Sequence, residues 1–540
     1  MASLSPHQGQ LGIRLAKHLL YRTTFVVNKV RIQEFATKTA QQALDELLTV
    51  VPLQLSEPVD PSTGQPWIST NTPPSTTNNP LRGVVISWWT NEARQDVSMH
   101  HKLQFFMHQA FTAAATEGSA ANLYDYIALL RFYAFGNFKT FAKKMTLDNL
   151  MLLYLDNTVN NKNSPNENYA REFLELFTIG KGAQIADGNY TNYTESDIQQ
   201  AAKVLTGFKT QLDRTIIDTD TNIPMGRAAF SQHTLGNKTF SAAFQNTNIT
   251  GATNVTQMFD ELSNFVEMIF SQPETARFIC RRLYRFFVNR NIDAEIEQDI
   301  IVPLATTLYN NNYELLPTLR LLFESQHFFD EDDSSNSDEI IGSLLKSPLE
   351  LVLQTMNHFY INVPDPLTQS NNHYVNFYRL SVLNIMFQGG GLSLFVPSDV
   401  AGYPAYYQEP DYHRAWFNAS TIITRYKISK MFLTGTRVLS SGNLGGVQLN
   451  IALTLKNQPI VSDLMDAFTV VNDLCTFLFS ETPDADRLNY FLNIFLDGLP
   501  AGDWTYEWQN YLTTNNDEEV KIPLERLIEA LMFSPEYQLF

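Results

Sequence analysis

A chain of 540 residues, 44% of them hydrophobic and with 37 Phe and 23 Tyr, has length for two cores and too much apolar mass to be disordered. Its net charge of −18 argues against nucleic acid or an anionic membrane as the main partner, because both are bound by clustered Lys and Arg. The two cysteines, Cys280 and Cys475, lie in apolar helical stretches and read as buried thiols, with no CxxC or Cys/His metal spacing.

Along the chain, the opening residues Met1 to His7 lack a charged segment followed by an apolar one. No signal peptide is expected and the chain as written reads as cytoplasmic, export with a removed signal being the alternative. Arg14, Lys17, His18 and Arg22 fall at helical spacing and read as a solvated face. Helical periodicity predicts helices over Arg31–Thr49, Ser98–Ala115, Asn122–Tyr133, Pro165–Ile179, Glu195–Thr206, Met258–Phe270, Glu274–Asn289 and Pro317–Glu324. It continues over Pro348–Phe359, Thr421–Leu433, Val461–Phe479, Arg487–Phe495 and Pro523–Phe533. Strand patterns are confined to short pieces near Phe208–Asp218 and Val447–Leu455. The expected fold class is therefore all-α, a multi-helical array with a few short β-hairpins.

Two stretches read as loops. Asn71–Pro80 is too rich in Pro, Thr and Asn for a helix. Asp330–Glu339 alternates acidic and small polar residues like the start of a calcium loop, but lacks the Gly and Glu that such a loop needs at its sixth and twelfth positions. It reads as a solvated linker within 330–345, dividing a helical region 1–329 from a second one, 346–540. The longest uncharged run, Leu380 to Ser398, contains Asn384, Gln388 and Gly389 to Gly391 and does not read as a membrane span. The three glycines read as a flexible turn, with no Walker or Rossmann fingerprint around them.

The densest run of chemistry spans Tyr154 to Gly180. Ser164 fits an N-cap, Pro165 the first helical position and Glu167 the third, which together make a capping box. Glu167, Arg171 and Glu175 are spaced for an ion-pair ladder, and Gly180 fits the C′ position. Beyond capping, Asp156, Asn157, Asn160, Asn166 and Asn168 crowd oxygen and amide groups at one helix entry. With Arg171 and Lys238 they form the candidate binding set. Asp156, Glu167 and Glu172, with His108, are candidate ligands of a divalent cation. Glu167, Glu172 and His233 are the candidate catalytic groups. His108 sits on an aromatic helix and reads as a packed core histidine, whereas His233 and Lys238 lie in a Gly- and Asn-rich loop, where function concentrates.

The run Tyr154-Leu-Asp156-Asn157, then Pro165-Asn-Glu167-Asn-Tyr169-Ala-Arg171-Glu172 and Glu175-Leu-Phe-Thr-Ile-Gly180, resembles the hallmark of the bacterial domain-of-unknown-function family numbered 1800. Nearly the whole chain shares the likeness, from His18-Leu-Leu-Tyr21-Arg22 through Tyr193-Thr-Glu195-x-Asp197 to Pro397-Ser-Asp399-Val-Ala-Gly402-Tyr403 and Ser534-Pro-Glu-Tyr537-Gln. The chain departs where relatives carry Trp-His-x-His after a Glu-Lys pair. His108 is kept, Ala110 replaces the second His, and His101 stands in place of the Glu. His233-Thr234 replaces a usual His-Asp.

Two functions follow as expectations. The first is a binding, assembly or accessory protein with a structural Asn/Glu/Arg lock. The resemblance implies a sulfatase-like protein of the unknown-function family numbered 1501 as its partner. The second is a hydrolase working from a pocket of Asp156, Glu167, Glu172 and His233, possible only if these groups converge.

Overall fold

The structure, a computed structural model, describes residues 2–49, 57–68, 79–332 and 340–540. Helices dominate, and the described strands form four two-stranded antiparallel hairpins: Val59–Asp60 with Gln65–Pro66, Gln184–Ala186 with Asn189–Tyr190, Phe208–Lys209 with Arg227–Ala228, and Lys238–Thr239 with Asn248–Ile249. The chain is thus predominantly all-α. No helix among the described residues is long and apolar enough to cross a membrane.

Caps set most boundaries. The stretch expected as one helix over Arg31–Thr49 is two, Lys29–Ala36 and Ala40–Leu47, because Thr39 and Gln42 close a capping box that starts the second afresh. Val447–Leu455 is not a strand: the Asn450 side chain accepts from the Leu453 N–H and opens a helix, Ile451–Asn457. A helix that periodicity missed, Asn79–Gln95, buries Ser87, Thr90 and Asn91 along with Trp88 and Trp89, so no polar face marks it in the sequence. It also takes in the last two residues of the loop expected over Asn71–Pro80; residues 71–78 lie outside the described ones.

Helix Gly12–Thr23 corrects a second expectation. Lys17, His18 and Arg22 are not a solvated face but are buried. Lys17 Nζ donates to the Thr476 carbonyl at 2.7 Å, His18 Nε2 sits 2.9 Å from the Phe328 carbonyl, and Arg22 donates to the carbonyls of Phe287 and Ile340. The helix is wedged between elements far apart in sequence, and backbone carbonyls replace the water its cations would lose.

Apolar packing is continuous through both sequence halves. Gln354 donates to the Tyr21 carbonyl, Lys102 pairs with Glu350, and Leu345 bridges Leu539. Of the acidic stretch, Asp330 receives the N–H groups of Ile340 and Ile341 at 3.4 Å; the calcium-like alternation falls mainly on residues 333–339, outside the described ones. Cys280 and Cys475 are free and buried, and burial pushes the Cys475 thiol up to about 12.

Candidate functional site at the Asn-rich helix entry

Amide side chains assemble the motif. Helix Asn149–Tyr154 is capped by Asp148, which accepts from the Met151 N–H at 2.8 Å. Asp156 then adopts a left-handed φ of 57°, which Asp tolerates better than most residues, and leads into the 3-10 turn Asn157–Val159. Asn160 is buried and uses its whole side chain: Nδ2 donates to Asn157 Oδ1 and to the Ala202 carbonyl, both at 3.0 Å, and Oδ1 accepts from the Asn166 N–H at 2.9 Å. Its carbonyl receives the Gly207 N–H at 3.1 Å and Lys209 Nζ at 2.9 Å. Asn157 reaches the Leu205 carbonyl at 3.4 Å, and Asn168 reaches that of Leu155 at 3.3 Å. Four of the five polar residues singled out at this entry therefore tie the loop to helix Glu195–Val204 and to itself, while Asp156 is exposed at its turn.

The capping box expected at Ser164 and Glu167 is absent. Ser164 is exposed and forms a short bridge with Asn161, and the helix starts only at Asn168, whose N–H goes to Asn166 Oδ1 at 2.9 Å. The carboxamides of Asn160 and Asn166 instead take the N–H groups of Asn166 and Asn168, and the helix starts about one turn later.

The ladder is also rearranged. Helix Asn168–Glu172 passes into a π-helical segment, Phe173–Thr178, whose wider turn shifts residue 175 off the face of Arg171. Arg171 instead grips Glu195 with both nitrogens, at 2.5 and 3.1 Å, and touches Glu167 at 3.4 Å. Glu175 pairs with Lys181 and accepts from the Tyr193 hydroxyl at 3.0 Å. Gly180 closes the helix as expected, at φ 75°, with its N–H on the Leu174 carbonyl at 2.9 Å.

Glu172 is the exception. Half-buried, it receives no hydrogen bond or ion pair from the described residues, and its carboxyl is pushed up to about 7 by burial and then by Glu175, with Asp399 adding to the effect. Tyr154 nearby is pushed up to about 12 by burial and by the charges of Asp399, Glu117 and Glu172. The charge of Asp399, on the loop carrying Pro397 to Tyr403, is thus felt at both Glu172 and Tyr154. A Cβ on Gly402 would stand 2.9 Å from Gln109 Oε1, so this loop also presses against the helix of His108.

The remaining candidates lie elsewhere. His108 is buried; its Nδ1 is 2.8 Å from the Tyr126 hydroxyl, which donates to the Phe111 carbonyl at 2.7 Å. Nδ1 therefore carries the hydrogen and Nε2 is a buried acceptor without a partner among the described residues. Burial pushes this imidazole down to about 3, so it is neutral at physiological pH. His233 and Lys238 are not loop-surface groups. Both are buried against Glu261, His233 Nε2 at 3.2 Å and Lys238 Nζ at 2.5 Å, while His233 Nδ1 faces the Thr206 carbonyl at 2.8 Å. Burial lowers the Lys238 ammonium, against the pull of Glu261. Glu261 is the functional partner that sequence reasoning missed, since it lies 28 residues beyond His233 and nothing local announces it.

The four groups expected to share a pocket, Asp156, Glu167, Glu172 and His233, stand in different settings. Asp156 is exposed, Glu167 is engaged by Arg171, and His233 is enclosed with Glu261. Among the described residues no three His, Cys, Asp or Glu side chains are grouped to hold a metal ion, so Asp156, Glu167, Glu172 and His108 are not gathered around one.

Fold and site together define a large helical protein whose N-terminal half turns on an amide-tied loop feeding a π-bulged helix. A family model described as "Protein of unknown function (DUF1800)" matches residues 18–539, and the chain belongs to that family. Neither the comparison with curated proteins nor that with solved structures gave a match.

Proposed function

We propose that the chain is a non-catalytic binding or accessory protein in which the Asn/Glu/Arg motif is a structural lock. The observation that carries this reading is Asn160, whose buried side chain spends both amide hydrogens and accepts at its oxygen within the fold. Arg171, Glu167 and Glu195 are likewise spent on one another.

The test is binding between the purified chain and a sulfatase-like protein of the family numbered 1501 from the same genome, followed by calorimetry and size-exclusion chromatography. A stoichiometric complex is expected; no heat and no co-elution at micromolar concentrations would remove the partner. Elemental analysis of natively purified protein checks the rest, because one equivalent of a divalent metal would overturn the lock reading.

Glu172 favours a second reading, an acid–base site under the charges of Glu175 and Asp399. An unpaired carboxyl near 7 is poised to give or take a proton. A hydrolytic activity that Glu172→Gln abolishes without lowering the melting temperature would establish it.

A further inference from the structure

The last three long helices form an open groove of about 320 Å³, far in sequence from the Asn-rich loop. Its floor is Phe495 on helix Ala485–Leu496 and Trp504 on helix Ala501–Thr514, both buried, with ring centroids 4.6 Å apart. Trp504 Nε1 donates to the Leu464 carbonyl at 3.0 Å, so the one polar group of the indole is already spent. The walls are two helix faces. Asp503, Tyr506 and Glu507 are spaced i, i+3, i+4 on helix Ala501–Thr514, and Glu519, Ile522 and Arg526 are spaced i, i+3, i+7 on helix Glu518–Phe533. A trough between two helix faces suits an elongated, rod-like occupant.

The groove gathers apolar surface that a folded chain usually hides. Tyr506, Ile522 and Leu499 are 69%, 62% and 59% exposed, three of the six most exposed large hydrophobic side chains among the described residues. Scattered singly they would need no explanation, but collected in one concavity they mark a contact surface. The rim is acidic. Asp503, Glu507 and Glu519 have no ion pair or side-chain hydrogen bond among the described residues. Arg526, the one cation lining the groove, is held by Asp497 at 3.0 Å and donates to the Ile494 carbonyl at 3.3 Å. Three uncompensated carboxylates beside an apolar trough repel an anionic lipid surface and attract an apolar ridge flanked by cations.

We propose that this groove is the docking site for a basic amphipathic helix of another protein, whose apolar side chains pack on Leu499, Tyr506 and Ile522 and whose Lys or Arg side chains pair with Asp503, Glu507 and Glu519. The assignment rests on the binding reading above, but not on which protein is bound.

The test is calorimetric titration of the full chain with three peptides: a Leu/Lys peptide patterned as an amphipathic helix, its twin with Glu for every Lys, and a permuted Leu/Lys peptide whose leucines share no face. The first is expected to bind one-to-one, at least about tenfold more tightly than either control. Leu499→Ser/Ile522→Ser is expected to weaken it at least about tenfold with an unchanged melting curve, because both side chains are exposed. Leu367→Ser, at a comparably exposed leucine outside the groove, leaves the affinity unchanged. Asp503→Asn/Glu507→Gln/Glu519→Gln, checked by the same melt, erases the preference for the Lys peptide over its Glu twin. A control peptide binding as tightly, affinity indifferent to the groove variants, or no saturable heat would each overturn the dock. So would self-association of the chain that Leu499→Ser/Ile522→Ser abolishes, since a second copy would then fill the groove. If no peptide binds while the family-1501 protein does, the groove falls and the binding reading stands. If the Leu/Lys peptide binds and that protein does not, the partner falls and the groove stands.

Discussion

The loop around Asn160 and the seam around Glu350 are both buried and polar, yet opposite chemistry holds them. At the loop, neutral carboxamides satisfy backbone groups one by one, and Asn160 alone makes three side-chain hydrogen bonds. At the seam, Lys17, Arg22, Lys102, Lys346 and Arg425 are all buried, and Glu350 is the carboxylate that pairs with Lys102. Burial pushes the Lys17 and Lys346 ammonium groups down to about 8 and 7, while Glu350 pulls each upward where it is felt, as at Arg22, Lys346 and Arg425. Lys346 adds the ring faces of Tyr21 and Tyr537, 4.6 and 4.4 Å away. The carboxamide bonds of Asn157, Asn160 and Asn166 are themselves indifferent to pH and salt, because a carboxamide does not titrate. A seam of shared charge fails when one member is removed, because the others stay desolvated.

The largest effect should therefore come from Glu350→Ala. The change strips Lys102 of its counter-charge and the helix Pro348–His358 of the capping box between Ser347 and Glu350. Loss of about 3–5 kcal/mol of stability is expected in urea unfolding, the usual cost of breaking a buried ion pair. A loss below about 1 kcal/mol would mean that the seam is not held by charge and would collapse the contrast with the loop.

Next comes a buried titrating group at the base of the loop. Asp148 is buried, its Oδ2 has no hydrogen-bond partner among the described residues, and burial raises its carboxyl to about 7. A carboxyl raised above its unfolded value near 4 binds its proton more tightly in the folded state. The stability it contributes is complete below about pH 4 and is lost as pH rises through about 7, amounting to about 4 kcal/mol at most. Asp148→Asn keeps an oxygen for the Met151 N–H and removes the charge. The variant should match the parent at about pH 4 and exceed it by several kcal/mol at about pH 8. Parallel stability–pH curves for the two proteins would show that Asp148 is hydrated in solution.

Asn160→Ala probes the lock itself. It leaves the Asn166 N–H and the Ala202 carbonyl without this partner in a dry site, and about 1–3 kcal/mol per stranded group is expected, with no dependence on pH between about 5 and 8. A pH-dependent loss would tie Asn160 to a titrating neighbour and break the distinction between loop and seam.

What the sequence could express here follows the reach of each interaction. The all-α class and Gly180 as helix end rest on neighbours within a few positions, and both were legible. The displaced helix start depends on Asn160 reaching Asn166 across a turn, and the π-helical segment at Phe173–Thr178 has no local signature. The burial of Lys17 and Arg22 depends on Thr476, Phe287 and Ile340, hundreds of positions away, so their helical spacing looked like a wet face. His233 does stand in a loop, as its Gly and Asn neighbours indicated, but Glu261 on helix Val255–Phe270 buries it, and nothing local announces that partner.

The smallest effect belongs to the most conspicuous ion pair of the motif. Arg171, Glu167 and Glu195 are each about a third exposed at the side chain, and water screens charges that stand so close to it. Glu195 is held below its usual range chiefly by the hydrogen bond from Arg171, so removing Arg171 releases that carboxylate to solvent rather than burying it. Arg171→Ala should then cost at most about 1 kcal/mol, a loss that shrinks further in molar salt. Double-mutant coupling with Glu195→Ala, measured at low and high salt, checks it. A coupling well above about 1 kcal/mol that survives salt would place this pair with the charged seam rather than at the rim of a loop whose strength lies in its amides.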